Sequence, residues 1–167
     1  MASSPPAPES SGALLDLDAE PEPDAELIAN VTAHIDAESL RVLVDGAVRF
    51  VGGDGDTAFA LRLCLAELHS NAVRHAGGAT RVRVWSLPVT NRLLVAVGDK
   101  CRSAPPRCAE PSPDAEEGRG LMLVEAHSAA NGHVVHAAGK DVWFAVVIAR
   151  PPQTRPPFTA IAGAHDR

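Results

Sequence analysis

The stretch Glu67-Leu-His-Ser-Asn71-Ala-Val-Arg-His75-Ala76 decides how the rest of the chain is read. Leu61, Leu65, Leu68 and Ala72 recur at steps of four, three and four, the spacing of one buried stripe on an α-helix. Glu67, Asn71 and His75 are also four apart, so a carboxylate, an amide and an imidazole line up on one helix face. A carboxylate can take a proton, an amide oxygen suits a hard cation such as Mg²⁺, and an imidazole can meet a phosphate. The same spacing also describes a polar face turned to water. The flanking chain chooses between the two.

Upstream, Asp36 is placed to cap a helix over 37–51, where Leu40, Leu43, Val44, Ala47, Val48 and Val51 form an apolar stripe. Gly52-Gly53-Asp54-Gly55-Asp56 breaks it, and Asp56 or Thr57 can cap the helix that carries the opening stretch to Ala76. Before both, Glu26–Ile35 alternates with Leu27, Ala29, Val31, Ala33 and Ile35 on one side, a strand pattern. Downstream, Gly77-Gly78 stops the helix. Ala79–Leu87 then alternates Arg81 and Arg83 outward against Val82 and Val84 inward, and Arg92–Val97 follows after a turn at Pro88–Asn91. Gly98-Asp99 closes that strand.

Residues 100–117 hold four prolines and no periodicity, the mark of a long loop. Gly118-Arg119-Gly120 opens a helix over Leu121–Ala130, and Gly132–Ala137 and Val142–Ala149 read as a hairpin about Ala138–Asp141. The order β-α-α-β-β-loop-α-β-β predicts an α+β fold. It is a two-layer sandwich whose mixed, mostly antiparallel sheet is covered on one face by three helices. The acidic, Pro/Ser-rich residues 1–25 read as a disordered tail, 26–149 as the domain with its lid at 100–117, and 150–167 as a second tail.

A chain of 167 residues, 46% of them hydrophobic, has material for one ordinary core. No apolar run approaches the roughly 18 residues of a membrane span, and the N-terminus does not resemble a signal peptide, so a cytoplasmic location is expected. The three cysteines form no C-x-x-C pair and fit free thiols in a reducing compartment. The seven histidines have no metal-ligand spacing. The net charge of −6 is unevenly spread: residues 1–60 hold twelve acids and two bases, whereas 61–107 hold two acids and eight bases. That basic middle surrounds Glu67, Asn71 and His75 and suits a polyanionic ligand. Direct nucleic-acid binding is disfavoured, because the chain has no basic stripe, no tyrosine to stack on bases and no high pI.

These motifs together resemble the GHKL ATPases, the Bergerat-fold family, and within them the single-domain serine/threonine kinases that act as anti-sigma factors. The Glu67–Ala76 helix looks like the family's asparagine box and Val97-Gly98-Asp99 like its aspartate box. Gly118–Val124 is similar to its second glycine box, and Gly139-Lys140-Asp141-Val142-Trp143-Phe144 to its last hairpin. Four boxes in the right order carry the likeness across residues 26–149.

The resemblance implies ATP and Mg²⁺ as cofactors. Asn71 would ligate the metal and Asp99 would accept from the adenine amino group. Gly118, Arg119, Gly120 and Leu121 would approach the phosphates at a helix start, where the dipole favours negative charge, with His75 on the same side. Glu67 would be the base that takes a serine proton. The implied partners are an anti-sigma-factor antagonist as substrate and a sequestered sigma factor, with the kinase itself a homodimer. Two departures point to an alternative, a non-catalytic GHKL-fold regulatory binding protein with weak or no ATP binding. Asp99 is followed by Lys-Cys-Arg-Ser-Ala-Pro-Pro without glycine, and Asp141 stands near a position where the family often has threonine.

Overall fold

The computed structural model describes residues 24–32, 35–103 and 119–150. Its elements are β1 (Glu26–Val31), α1 (Ala37–Val51), α2 (Gly55–Ala76), β2 (Ala79–Leu87), β3 (Arg92–Asp99), α3 (Arg119–His127), β4 (Ala130–His136) and β5 (Gly139–Val147). The strands form one sheet in the order β1-β2-β3-β5-β4, and all four pairings are antiparallel. The expected α+β fold is therefore present, with its sheet uniformly antiparallel.

Alternation along each strand sorts the side chains into two sets. Val82, Val84, Leu93, Val95, Val97, Phe144 and Val146 pack with Leu43 and Val44 of α1, Leu61, Leu65 and Leu68 of α2, and Val124 of α3 in one core. Three helices thus share one sheet face. The opposite face gathers Trp85, Leu87, Leu94, Ala96 and Ala145, with Val134 and Trp143 beside them.

Local chemistry sets the ends of the helices. Asp36 caps α1 by accepting from the Ser39 amide at 2.8 Å, as its spacing predicts. The cap of α2 is Asp54, earlier than the expected Asp56 or Thr57. Its Oδ1 accepts from the Asp56 and Thr57 amides at 3.1 and 3.0 Å. Thr57 is not free to cap because it is buried and serves the chain that follows β5: its hydroxyl donates to the Ala149 carbonyl at 3.0 Å and accepts from the Ala149 amide at 2.9 Å. Gly52 and Gly77, both left-handed, close α1 and α2.

Strand edges depart from the sequence reading in specific ways. β1 ends at Val31 instead of Ile35, and a bulge between Leu27 and Ala29 breaks its alternation against β2. Leu27 is consequently exposed while Ile28, Ala29 and Val31 meet the core. β3 runs two residues further than expected, to Asp99, because Gly98 and Asp99 both pair with β5. α3 begins at Arg119 and ends at His127, and β4 begins at Ala130, so the residue expected to finish the helix starts the strand instead. β5 begins at Gly139, which puts Lys140 and Asp141 in the ladder and not in a turn.

Arg83 is the clearest reversal. It does leave the helix-covered face, yet it is buried at 6% exposure and does not reach solvent. Its guanidinium sits 3.3 Å from Asp141 Oδ2 and lies over the Trp85 ring at 4.9 Å. Arg81 and His136 approach the same carboxylate oxygen at 3.4 and 3.3 Å. Asp141 fits there because Gly98 has no side chain: a Cβ would stand 2.7 Å from Asp141 Oδ1.

Candidate nucleotide site

Glu67, Asn71 and His75 lie along α2 as their spacing predicts, the first two half-buried and His75 exposed in the last turn. Helix α2 is held from below by its buried stripe, Leu61, Leu65, Leu68 and Ala72. Helix α3 is pinned beside it by Val124 in the core and by an edge-on contact between the rings of Phe59 and His127 at 5.7 Å.

This packing brings the start of α3 onto Glu67. A Cβ at Gly120 would run into Glu67 Oε2, so the glycine lets the first turn of α3 approach that carboxylate without displacing it. Arg119 is exposed at the same turn, and Leu121 tucks its side chain against the core. Gly118 and the lid expected at 100–117 lie outside the described residues from position 104 onward. Burial pushes the Cys64 thiol up to about 11, and the neighbouring Glu67 charge adds to the shift.

Asp99 stands apart from this group. It ends β3 on the helix-covered face and is 5% exposed. Its Oδ1 accepts from the Cys101 amide at 2.7 Å and from Lys140 Nζ at 3.1 Å, and its Oδ2 lies 3.0 Å from the same ammonium. Lys140 is the residue directly opposite Asp99 in the β3·β5 ladder. Sequence reasoning missed Lys140 and looked to Asp141, which the alternation of β5 sends to the other side of the sheet. In the antiparallel β3·β5 ladder Phe144 stands opposite Val95, and four steps up β3 and down β5 bring Asp99 opposite Lys140, a register that no spacing along the chain reveals. The charge of Lys140 also helps to lower the Cys101 thiol pKa, after the larger effect of its hydrogen bond to the Ser103 backbone.

The two groups therefore differ in what they leave free for a ligand. In one a half-buried carboxylate and amide sit four residues apart on α2, and the N–H-rich first turn of α3 faces that carboxylate across a glycine. That group suits phosphate oxygens and a hard cation. Asp99, the carboxylate that the resemblance assigns to a nucleobase amine, is already in an ion pair.

A helix-backed antiparallel sheet with this helix row and glycine-opened α3 defines the nucleotide-binding α+β class to which the GHKL ATPases belong. The histidine kinase-like ATPase domain matches residues 26–145, so the chain is a member of that family, whose domains bind ATP, usually with Mg²⁺. No curated protein matches the chain. Among the described residues no helix is long and apolar enough to cross a membrane.

Proposed function

We propose that the chain is an ATP-dependent protein-serine/threonine kinase that acts as a cytoplasmic anti-sigma factor and homodimer. Its substrate is an anti-sigma-factor antagonist, and it sequesters a sigma factor to regulate transcription without touching nucleic acid itself. The family supports the ATP-binding, kinase-like part; the finer role rests on the resemblance of the four boxes. The observation that carries it is the placement of Glu67, half-buried on α2, against Gly120 of α3 and one turn before Asn71.

Bound Mg·ATP would supply the phosphoryl group and the cation that offsets its charge. Asn71 would hold the cation through its amide oxygen. The first turn of α3, Arg119–Leu121, would present backbone N–H groups to phosphate oxygens. Glu67 would accept the hydroxyl proton of the substrate serine as its oxygen gains the phosphoryl group, a task that needs a fixed carboxylate beside the attacking oxygen. The measurement is phosphate transfer from labelled ATP to candidate antagonists, beside calorimetric nucleotide binding. Glu67→Ala is expected to keep binding and lose transfer, and Asn71→Ala to lose both. Normal phosphorylation by Glu67→Ala would remove Glu67 from the mechanism.

A second reading is favoured by the Asp99–Lys140 pair: a GHKL-fold regulatory protein that works by contact and binds ATP weakly or not at all. Calorimetry that shows no heat with millimolar Mg·ATP selects it.

A further inference from the structure

We infer that Lys140 is a specificity-determining residue that competes with the nucleobase for Asp99, holding nucleotide affinity low and making it nearly blind to the exocyclic amine of adenine. The inference rests on the nucleotide-site reading above. Lys140 and Asp99 face each other across β3 and β5, with side chains 7% and 5% exposed. The ammonium lies 3.1 Å from Oδ1 and 3.0 Å from Oδ2, so one donor group engages both oxygens, and the Cys101 amide at 2.7 Å takes further capacity on Oδ1. A carboxylate has about four acceptor sites in all. A neutral base amine entering here must share or displace a cation, and it returns less energy than the cation loses.

Among the described residues the neighbouring carboxylate offers Lys140 no alternative. The adjacent carboxylate, Asp141, points to the opposite sheet face, where Arg81, Arg83 and His136 already surround it. Nor can the strands move apart easily at this point. Gly139 lies so close to β3 that a Cβ there would collide with the backbone carbonyl of Asp99. The ladder between β3 and β5 thus sets the pair in register.

The test uses the full chain and its Lys140→Thr, Lys140→Met and Lys140→Arg variants. Mg·ATP and Mg·ITP, which carries an oxo group in place of the amine, are titrated by calorimetry, and melting temperatures are read with and without each nucleotide. Lys140→Thr can still donate one hydrogen bond to Asp99, and it is expected to bind ATP about tenfold more tightly than wild type. It should also prefer ATP to ITP, whereas wild type and Lys140→Arg bind the two alike. Lys140→Met is expected to melt lower than wild type without nucleotide, because Asp99 is left buried and uncompensated, and to gain a larger upward shift on adding ATP.

A folded Lys140→Thr whose ATP affinity stays within about twofold of wild type, with the ATP-to-ITP ratio unchanged, overturns the role of Lys140 and leaves the site intact. Absence of binding by wild type and all three variants overturns both the inference and the nucleotide site.

Discussion

Asp141→Asn tests whether the cluster on the sheet face opposite α1, α2 and α3 stabilises the fold. The substitution keeps size and shape and removes one negative charge. Asp141 Oδ2 lies 3.3 Å from Arg83, 3.4 Å from Arg81 and 3.3 Å from His136. These three partners do not count equally. Arg83 is 8% exposed in its side chain, so neutralising Asp141 weakens a buried ion pair; breaking such a pair outright costs roughly 3–5 kcal/mol. Arg81 and His136 are 33% and 36% exposed, and water screens their share to under about 1 kcal/mol each. The amide oxygen of asparagine still accepts one hydrogen bond, which argues for the low end, about 3 kcal/mol. At roughly 2–4 °C per kcal/mol, the melting temperature falls by about 6–12 °C. Urea unfolding at neutral pH measures the loss directly, with the slope on denaturant unchanged. Raising the salt concentration should recover little, because the main pair is buried. A loss below about 1 kcal/mol would show that the geometry stores no such energy and that the reasoning about Arg83 is wrong.

Gly139→Ala forces a Cβ into the Asp99 carbonyl, a backbone atom that cannot swing aside, and should lower stability by more than about 3 kcal/mol in the same urea assay. Thr57→Val removes the hydroxyl that serves the Ala149 amide and carbonyl, and a loss of about 1–3 kcal/mol with helix content unchanged by circular dichroism is expected. Cys64 titrates at about 11 in the fold against 9.0 ordinarily, so the unfolded chain gives up its proton first. Its contribution is complete below pH 9 and is lost as pH rises toward 11, and the stability profile of Cys64→Ala should lack that downward slope relative to wild type. In a Cys108→Ser background, iodoacetamide at neutral pH should label Cys101, whose pKa is lowered, and leave buried Cys64 unmodified.

What the sequence disclosed, and what it hid, follows from the range of each interaction. The α1 stripe and its Asp36 cap, the α2 stripe and the turn at Pro88–Asn91 are local patterns, each written within a few residues, and they appear where expected. The Asp54 cap of α2 was obscured because Thr57 is drawn off by Ala149, 92 positions away. Arg83 was misread for the same reason, since alternation assigns a face but not what waits there, and its counter-ion lies 58 positions along the chain. In the site, the α2 row was legible from helix periodicity alone. The closeness of Gly120 to Glu67 depends on how α3 packs on α2, and the Asp99–Lys140 pair depends on cross-strand register. Neither is encoded in spacing along the chain.

The chain contains two tryptophans and no tyrosine, and both Trp85 and Trp143 belong to the sheet face away from α2. One of them carries the Arg83 guanidinium over its ring, and the other roofs Gly132 so closely that a Cβ would stand 2.7 Å from the indole. Intrinsic fluorescence excited at the indole band therefore observes the side opposite the three helices alone. It supplies an optical probe, with no label attached, for whatever contacts that side, and it stays dark to events between α2 and α3 unless the sheet itself relays them.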